Sequence, residues 1–227
     1  MAAGEGTRLR PLTERWPKPV LPIDGRPVIA TLLRELAAAE FRRVWVVTGH
    51  LADQVERLVG DGTAFGLEVR FVRQPGVLGS ADAVQRAVAA GAGPPVLVSA
   101  ADTVYQQGDL AAFADRYLAS GASGAVAVRL DPPPGPGRPA LERSGDRIVS
   151  MRGDDSANPW SAAPLWALGA SVVDRLCRDR PPYELEHAFQ GALDAGETVI
   201  AVEIGTTRDL TYPLDLVERN FPYLQVT

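Results

Sequence analysis

The chain has 227 residues, 46% apolar and 22% charged, the balance of a globular protein with one substantial core or two small ones. A net charge of −5 and a pI near 5.1 exclude the broad basic face of a nucleic-acid binder. No apolar run approaches a membrane span, no leader-like segment opens the chain, and the lone Cys177 excludes a disulfide framework; a cytoplasmic protein with no membrane partner is expected.

In chain order, a glycine-rich start is followed by a helix entered at Pro27, with Val28, Ile29, Leu32, Leu33 and Leu36 on one face. Val44–Val47 reads as a buried strand and Leu51–Val59 as a helix. Gly60-Asp61-Gly62 turns the chain into an alternating strand, Leu67–Val72. Ser80 is expected to cap a helix running to Ala90. Val96–Ala100 is another buried strand, ending near Asp102; Leu110–Leu118 is helical and Ala125–Leu130 a strand. Asp131–Pro139, with five prolines and two glycines, is a loop. Ala140–Met151 then suggests a hairpin turning at Ser144-Gly145-Asp146. Strand Pro164–Leu168, helices Ala170–Arg178 and Glu184–Ala195, strand Val199–Ile204 and a helix from Pro213 complete the pattern. Cys177 falls in the apolar pattern of the first of these helices and is expected to pack.

This β–α alternation predicts an α/β fold, a doubly wound and mostly parallel sheet with helices on both faces. We expect one domain over 1–227, with an α/β core at 1–130 separated by the proline-rich loop from a less regular part at 140–227. A glycine-rich phosphate loop ordinarily follows a strand that aims it, yet Gly4 comes only three residues after Met1. The expectation is that a first strand precedes Met1 in a longer natural chain.

Gly4-Glu5-Gly6-Thr7-Arg8 offers backbone N–H groups for close approach by a phosphate, although any Gly-x-Gly can be a plain turn. It is not a P-loop, and Leu9 stands where a dinucleotide fingerprint needs its third glycine. Lys18 sits between Pro17 and Pro19, which stiffen the backbone around one ammonium group; a surface linker would look similar. Of 23 basic residues Lys18 is the only lysine, and Arg8, Arg10 and Arg15 lie close before it. Asp102 ends a strand at the edge where open α/β sheets bind ligands, or else caps a following helix. Asp154 and Asp155 read as solvated loop residues, His187 as structural, and His50 is undecided.

Residues 2–13, Ala-Ala-Gly-Glu-Gly-Thr-Arg-Leu-Arg-Pro-Leu-Thr, and 17–29, Pro-Lys-Pro-Val-Leu-Pro-Ile-Asp-Gly-Arg-Pro-Val-Ile, closely resemble the signature of the sugar-1-phosphate nucleotidyltransferases. The resemblance continues through Gly60-x-Gly62…Phe65-Gly66, Leu78-Gly79-Ser80-Ala81-Asp82-Ala83, Asp102 and Asp209-Leu210-Thr211-Tyr212-Pro213. It implies the Rossmann-like fold of that family, an NTP and a sugar 1-phosphate as partners, and Mg²⁺ as cofactor. It further implies that Ala2, Ala3 and Gly4 line base and ribose, and that Gly6, Thr7 and Arg8 hold the triphosphate. Lys18 would bridge phosphates at the reacting centre, Gln74 and Gly79 would recognise the base, and Asp102 and Asp209 would bind Mg²⁺. UTP or dTTP is the favoured nucleotide, and a homo-oligomer is left open.

Two departures stand out. Ala101 replaces the glycine that often precedes the metal-binding aspartate. Val149-Ser150-Met151-Arg152-Gly153 stands where sugar-specific members carry Glu-Lys-Pro. Arg152 is the expected substitute clamp on the acceptor phosphate. The alternatives are a cytidylyltransferase for a small phospho-alcohol and, in another class, a non-catalytic nucleotide-sensing homologue.

Overall fold

The computed structural model describes residues 1–130, 140–153, 160–177 and 180–221, the side chains of residues 140, 152 and 153 excepted. The proline-rich loop expected at Asp131–Pro139 and the pair Asp154-Asp155 lie outside the described residues. In chain order the elements are β1 (Pro22–Ile23), β2 (Arg26–Pro27), α1 (Val28–Ala38), β3 (Arg43–Thr48), α2 (Ala52–Val59) and β4 (Glu68–Arg73). Next come α3 (Ser80–Ala89), β5 (Val96–Ser99), β6 (Thr103–Val104), α4 (Asp109–Ser120), β7 (Gly124–Arg129), β8 (Ala140–Ser144) and β9 (Arg147–Gly153). The last are β10 (Ser161–Leu168), α5 (Ala170–Val173), α6 (Leu185–Asp194), β11 (Val199–Glu203), β12 (Arg208–Asp209) and α7 (Pro213–Asn220). None of the described helices is long and apolar enough to cross a membrane.

These elements form two compact units interleaved along the chain. One comprises Met1–Val77, Ala100–Tyr105 and Arg208–Thr227; the other comprises Leu78–Ser99 and Gln106–Thr207.

In the first unit β3 and β4 pair in parallel, Arg43 to Glu68 through Thr48 to Arg73. Ala2 adds an isolated parallel bridge to Thr48, its N–H donating to Val47 O at 2.7 Å, while Met1 O accepts from Ala101 N at 2.8 Å. α1 buries Val28, Ile29, Leu32, Leu33 and Leu36, the apolar stripe read from the sequence. At about 1.5–3 kcal/mol for each fully buried aliphatic side chain, that stripe outweighs the few tenths per residue by which Val, Ile and Thr disfavour a helix. A small core of Leu9, Leu21, Ile23, Val28, Val104 and Leu210, with Leu216 of α7 against it, draws together three separate stretches of chain.

The second unit is built on a six-stranded sheet in the order β5-β10-β7-β11-β9-β8. Among its described pairings only β7–β11 is parallel; β10 runs antiparallel to both β5 and β7, and β8–β9 is the expected hairpin. The sheet is therefore mixed where alternation alone suggested mostly parallel pairing. The β8–β9 hairpin reverses the chain, so β10 enters between its neighbours in the opposite sense. Every residue of β7 is buried, and Phe113 of α4 and Phe189 of α6 are fully buried in the same unit.

Two expectations are corrected. The helix expected at Ala170–Arg178 ends at Val173, and Cys177, at φ +55°, has left the helical region. Its half-buried thiol is pushed up by burial, consistent with packing. Ser80 does not cap its own helix: Gly79 holds that position, and the Ser80 hydroxyl serves α6 instead.

Candidate functional site

In the first unit the glycine-rich segment is folded by its short side chains. Gly6 takes φ +62°, and a Cβ there would come within 2.9 Å of Thr13 Cγ2 and 3.6 Å of Lys18 Cβ. Thr13, itself buried, donates from Oγ1 to Gly6 O at 2.9 Å. Leu9 is fully buried and pins the turn Thr7–Leu9, leaving Thr7 and Arg8 exposed beside it and Gly4 with open space around its Cα. Arg10 pairs with Glu5 at 3.2 Å.

His50, undecided in the sequence, has a definite place here. Its Nε2 lies 2.6 Å from Thr13 O, and its backbone N–H donates to Ala3 O at 3.2 Å. It braces both ends of the glycine segment. His187 lies exposed on α6.

Lys18 begins a single turn, Lys18–Val20, between two buried prolines, so little of its backbone is free to move. Its Nζ lies 2.6 Å from Asp102 Oδ2, with side-chain exposures of 15% and 27%. Burial pushes the Asp102 carboxyl up, but the neighbouring Lys18 charge and hydrogen bond outweigh it and hold the group below the usual carboxylate range. Asp102 leads directly into β6 rather than into a helix, which removes the helix-cap alternative.

Asp209 reaches this neighbourhood through β12. Antiparallel pairing of β12 with β6 sets Asp209 opposite Thr103, the residue after Asp102, and Arg208 opposite Val104. Thr211 Oγ1 lies 3.4 Å from Asp209 Oδ2. Two-residue strands carry no readable periodicity, so the sequence offered no signal for this pairing beyond the resemblance. Among the described residues no group of three or more His, Cys, Asp or Glu side chains gathers as a metal site. Two carboxylates borne on or next to paired strands nevertheless suit Mg²⁺, which is commonly held by one or two carboxylates plus substrate phosphates.

Gln74, just past β4, is buried and donates its backbone N–H to Thr48 O at 2.8 Å. The first unit thus contains Ala2, Ala3, Gly4, Gly6, Thr7, Arg8, Lys18, Gln74, Asp102 and Asp209. Gly79 and Arg152 belong to the second. Gly79 takes φ +98° against the backbone of Tyr183; Arg152 lies on β9, with its side chain outside the described residues.

Over 222 residues the chain is 29% identical to mannose-1-phosphate guanylyltransferase of Mycobacterium tuberculosis, covering 96% of the chain and 61% of that protein. It thus spans less than two thirds of that relative's length. Two solved structures share its fold: UDP-glucose pyrophosphorylase from Acinetobacter baumanii and inositol-1-phosphate CTP transferase from T. maritima. The first has a TM-score of 0.80 at 22% identity, covering 96% of this chain and 89% of that one. The second has a TM-score of 0.80 at 19% identity, covering 94% and 88%. The fold is the Rossmann-like, mixed-sheet α/β architecture of the nucleotidyltransferases. Residues 1–135, which include the glycine segment, Lys18 and Asp102, match the family model of the nucleotidyl transferases, and the chain belongs to that family.

Proposed function

We propose that this protein transfers a nucleoside monophosphate from an NTP to a sugar 1-phosphate and releases pyrophosphate. The observation that carries the reading is Lys18 Nζ at 2.6 Å from Asp102, next to the glycine segment, in a chain of this family. An oxygen of the acceptor phosphate, already ionised at neutral pH, attacks the α-phosphorus. The bond from the α-phosphorus to the bridging oxygen breaks, and pyrophosphate leaves with both electrons. No general base is needed, so catalysis is positioning and charge neutralisation.

Ala2, Ala3 and Gly4 take base and ribose in this reading. Gly6 and Thr7 offer backbone N–H groups and Arg8 its guanidinium to the triphosphate. Lys18 exchanges its contact with Asp102 for phosphate oxygens of both substrates, Gln74 and Gly79 read the base, and Arg152 holds the acceptor phosphate. Asp102 and Asp209 would hold Mg²⁺, which supplies neutralisation of the charge on the α-phosphate. UTP or dTTP is the favoured donor and the cytoplasm the expected compartment.

A second reading is a cytidylyltransferase for a phospho-alcohol. Val149–Gly153 lacks the glutamate that would grip a sugar hydroxyl, and inositol-1-phosphate CTP transferase shares the fold. Joint presence of Arg8, Lys18, Asp102 and Asp209 favours either enzyme over a nucleotide-sensing homologue.

The test is pyrophosphate release from each NTP against a panel of phosphorylated sugars and alcohols. Silence with every pair would overturn the transferase reading. Asp102→Asn and Asp209→Asn should each keep the fold and remove most turnover; near-normal turnover by either at ordinary Mg²⁺ concentration removes that residue from the metal site.

A further inference from the structure

The segment Leu78–Ser80 is held in place by residues more than a hundred positions away, within the same unit. Tyr183 N donates to Leu78 O at 2.8 Å, and Ala81 N donates to Tyr183 O at 2.7 Å. Between these bonds Gly79 sits at φ +98°, ψ 171°, a conformation that essentially only glycine adopts. A Cβ there would lie 2.2 Å from Tyr183 O, so no side chain fits.

The next contact couples two helix ends. Glu184 Oε2 accepts from Ser80 N at 3.0 Å and from Ser80 Oγ at 2.5 Å, serving the start of α3. Ser80 Oγ accepts in turn from Leu185 N at 2.8 Å, serving the start of α6. Gly79 stands at the cap position of α3 without a side chain to fill it, and Glu184 fills it from the other helix. A glycine has many conformations to choose from, so one this exposed to entropy needs partners that select it. A carboxylate accepting two hydrogen bonds is a strong selector.

We infer that Glu184 is a positioning residue for nucleotide binding: through Ser80 it fixes the backbone of Gly79 against Tyr183. The inference rests on the reading of Gly79 as a contact to the base. Recognition by backbone groups tolerates little displacement, since a misplacement of about 1 Å can cost on the order of 100-fold. Loosening this reciprocal cap therefore weakens the nucleotide specifically, while contacts to the acceptor phosphate are untouched.

Kinetics of Glu184→Ala and Glu184→Gln, with amide hydrogen exchange at residues 79–81, test this. Glu184→Ala should raise the NTP KM by about tenfold, leave kcat and the acceptor KM within about twofold, and speed exchange at Ser80 and Ala81 by about tenfold. Glu184→Gln keeps an oxygen acceptor of the same shape and should restore the NTP KM to within about threefold of the wild type. If Glu184→Ala fails to fold, Ser80→Ala gives a smaller rise in the same KM. The double variant should be no worse than Glu184→Ala alone, because both belong to one network. An unmoved NTP KM in Glu184→Ala and Ser80→Ala, or equal rises in both KM values, overturns the inference. A wild-type protein that releases no pyrophosphate sinks the transferase reading itself, whereas an active wild type with unmoved KM sinks only the role of Glu184.

Discussion

In the proposed transfer, the chemistry of the first unit turns on one ammonium group, that of Lys18. It is the only lysine in a chain that otherwise uses arginine, and it sits between two buried prolines with Asp102 at 2.6 Å. An ammonium is a compact charge with three donors, able to touch oxygens of two phosphates at once; a guanidinium is wider, planar and grips one anion in a fork. Stiff backbone on both sides prevents the turn from shifting to suit the larger group. Lys18→Arg should therefore cost at least ~100-fold in turnover although the charge is kept, comparable to losing one well-placed electrostatic donor. Steady-state kinetics at saturating NTP decide this: a fall of under about tenfold, less than ~1.4 kcal/mol of barrier, would show that Lys18 is not the bridge between substrates. At this scale the sequence marked Lys18 and Asp102 as candidates, because a strand end and paired prolines leave a local imprint; Asp209 stood out through the resemblance alone. The jobs of Thr13, His50 and Glu184 left none, since each acts on a segment far away or on backbone atoms that carry no residue identity.

Elements with long periodic patterns were legible in the sequence: α1, α4, α6 and β7 fall within a few residues of expectation because burial of one face fixes them. The short ones were not. β6 and β12 have two residues each and exist through cross-strand pairing, and α5 stops early as Cys177 turns left-handed. Two side chains show how such brief elements are secured. Asn220, ending α7, donates from Nδ2 to Pro22 O at 2.8 Å and to Leu216 O at 2.7 Å, and accepts from Gly25 N at 2.8 Å. Asn220→Ala should destabilise by about 1–2 kcal/mol in denaturant unfolding, two or so net hydrogen bonds at a partly solvated site; a change under about 0.3 kcal/mol would show that α7 is held by Leu216 alone. Glu197, just before β11, accepts from Ser171 of α5 and pairs with Arg175 Nη2 at 2.7 Å. The Ser171 hydrogen bond, opposed by burial and aided by Arg175, holds its carboxyl below the ordinary 4.5. A depressed folded pKa contributes stability that is present above 4.5 and lost as pH falls through the folded value. Glu197→Gln should thus melt below the wild type at neutral pH, and the gap should close in acid below that value. A gap that stays constant with pH would assign the loss to packing.

At the scale of the whole molecule, a net charge of −5 opposes an anionic substrate, while Arg8, Arg10, Arg15 and Lys18 gather in one short stretch. Arg10 is engaged by Glu5, and Lys18 by Asp102. In the proposed reading a divalent cation would offset this by lowering the charge of the nucleotide, and Asp102 and Asp209 would hold it once Lys18 turns to phosphate. Ligand that binds only the folded protein raises its stability by mass action, about 2.7 kcal/mol at a hundredfold excess over Kd. For a chain of this size that corresponds to a rise in melting temperature of roughly 5–10 °C. The donor NTP with Mg²⁺ should produce such a rise at ~5 mM for a Kd of about 50 μM, which lies inside the usual range of KM. The same NTP in a chelator should produce much less, and Mg²⁺ alone almost nothing, because the carboxylates are too few to hold the ion without phosphate oxygens. Asp209→Asn should shrink the difference between the magnesium and chelator melts while leaving the chelator melt near that of the wild type. If all NTPs leave the melt unmoved in Mg²⁺, nucleotide binding itself is wrong. If they move it equally with and without Mg²⁺, nucleotide binds but Asp102 and Asp209 hold no metal.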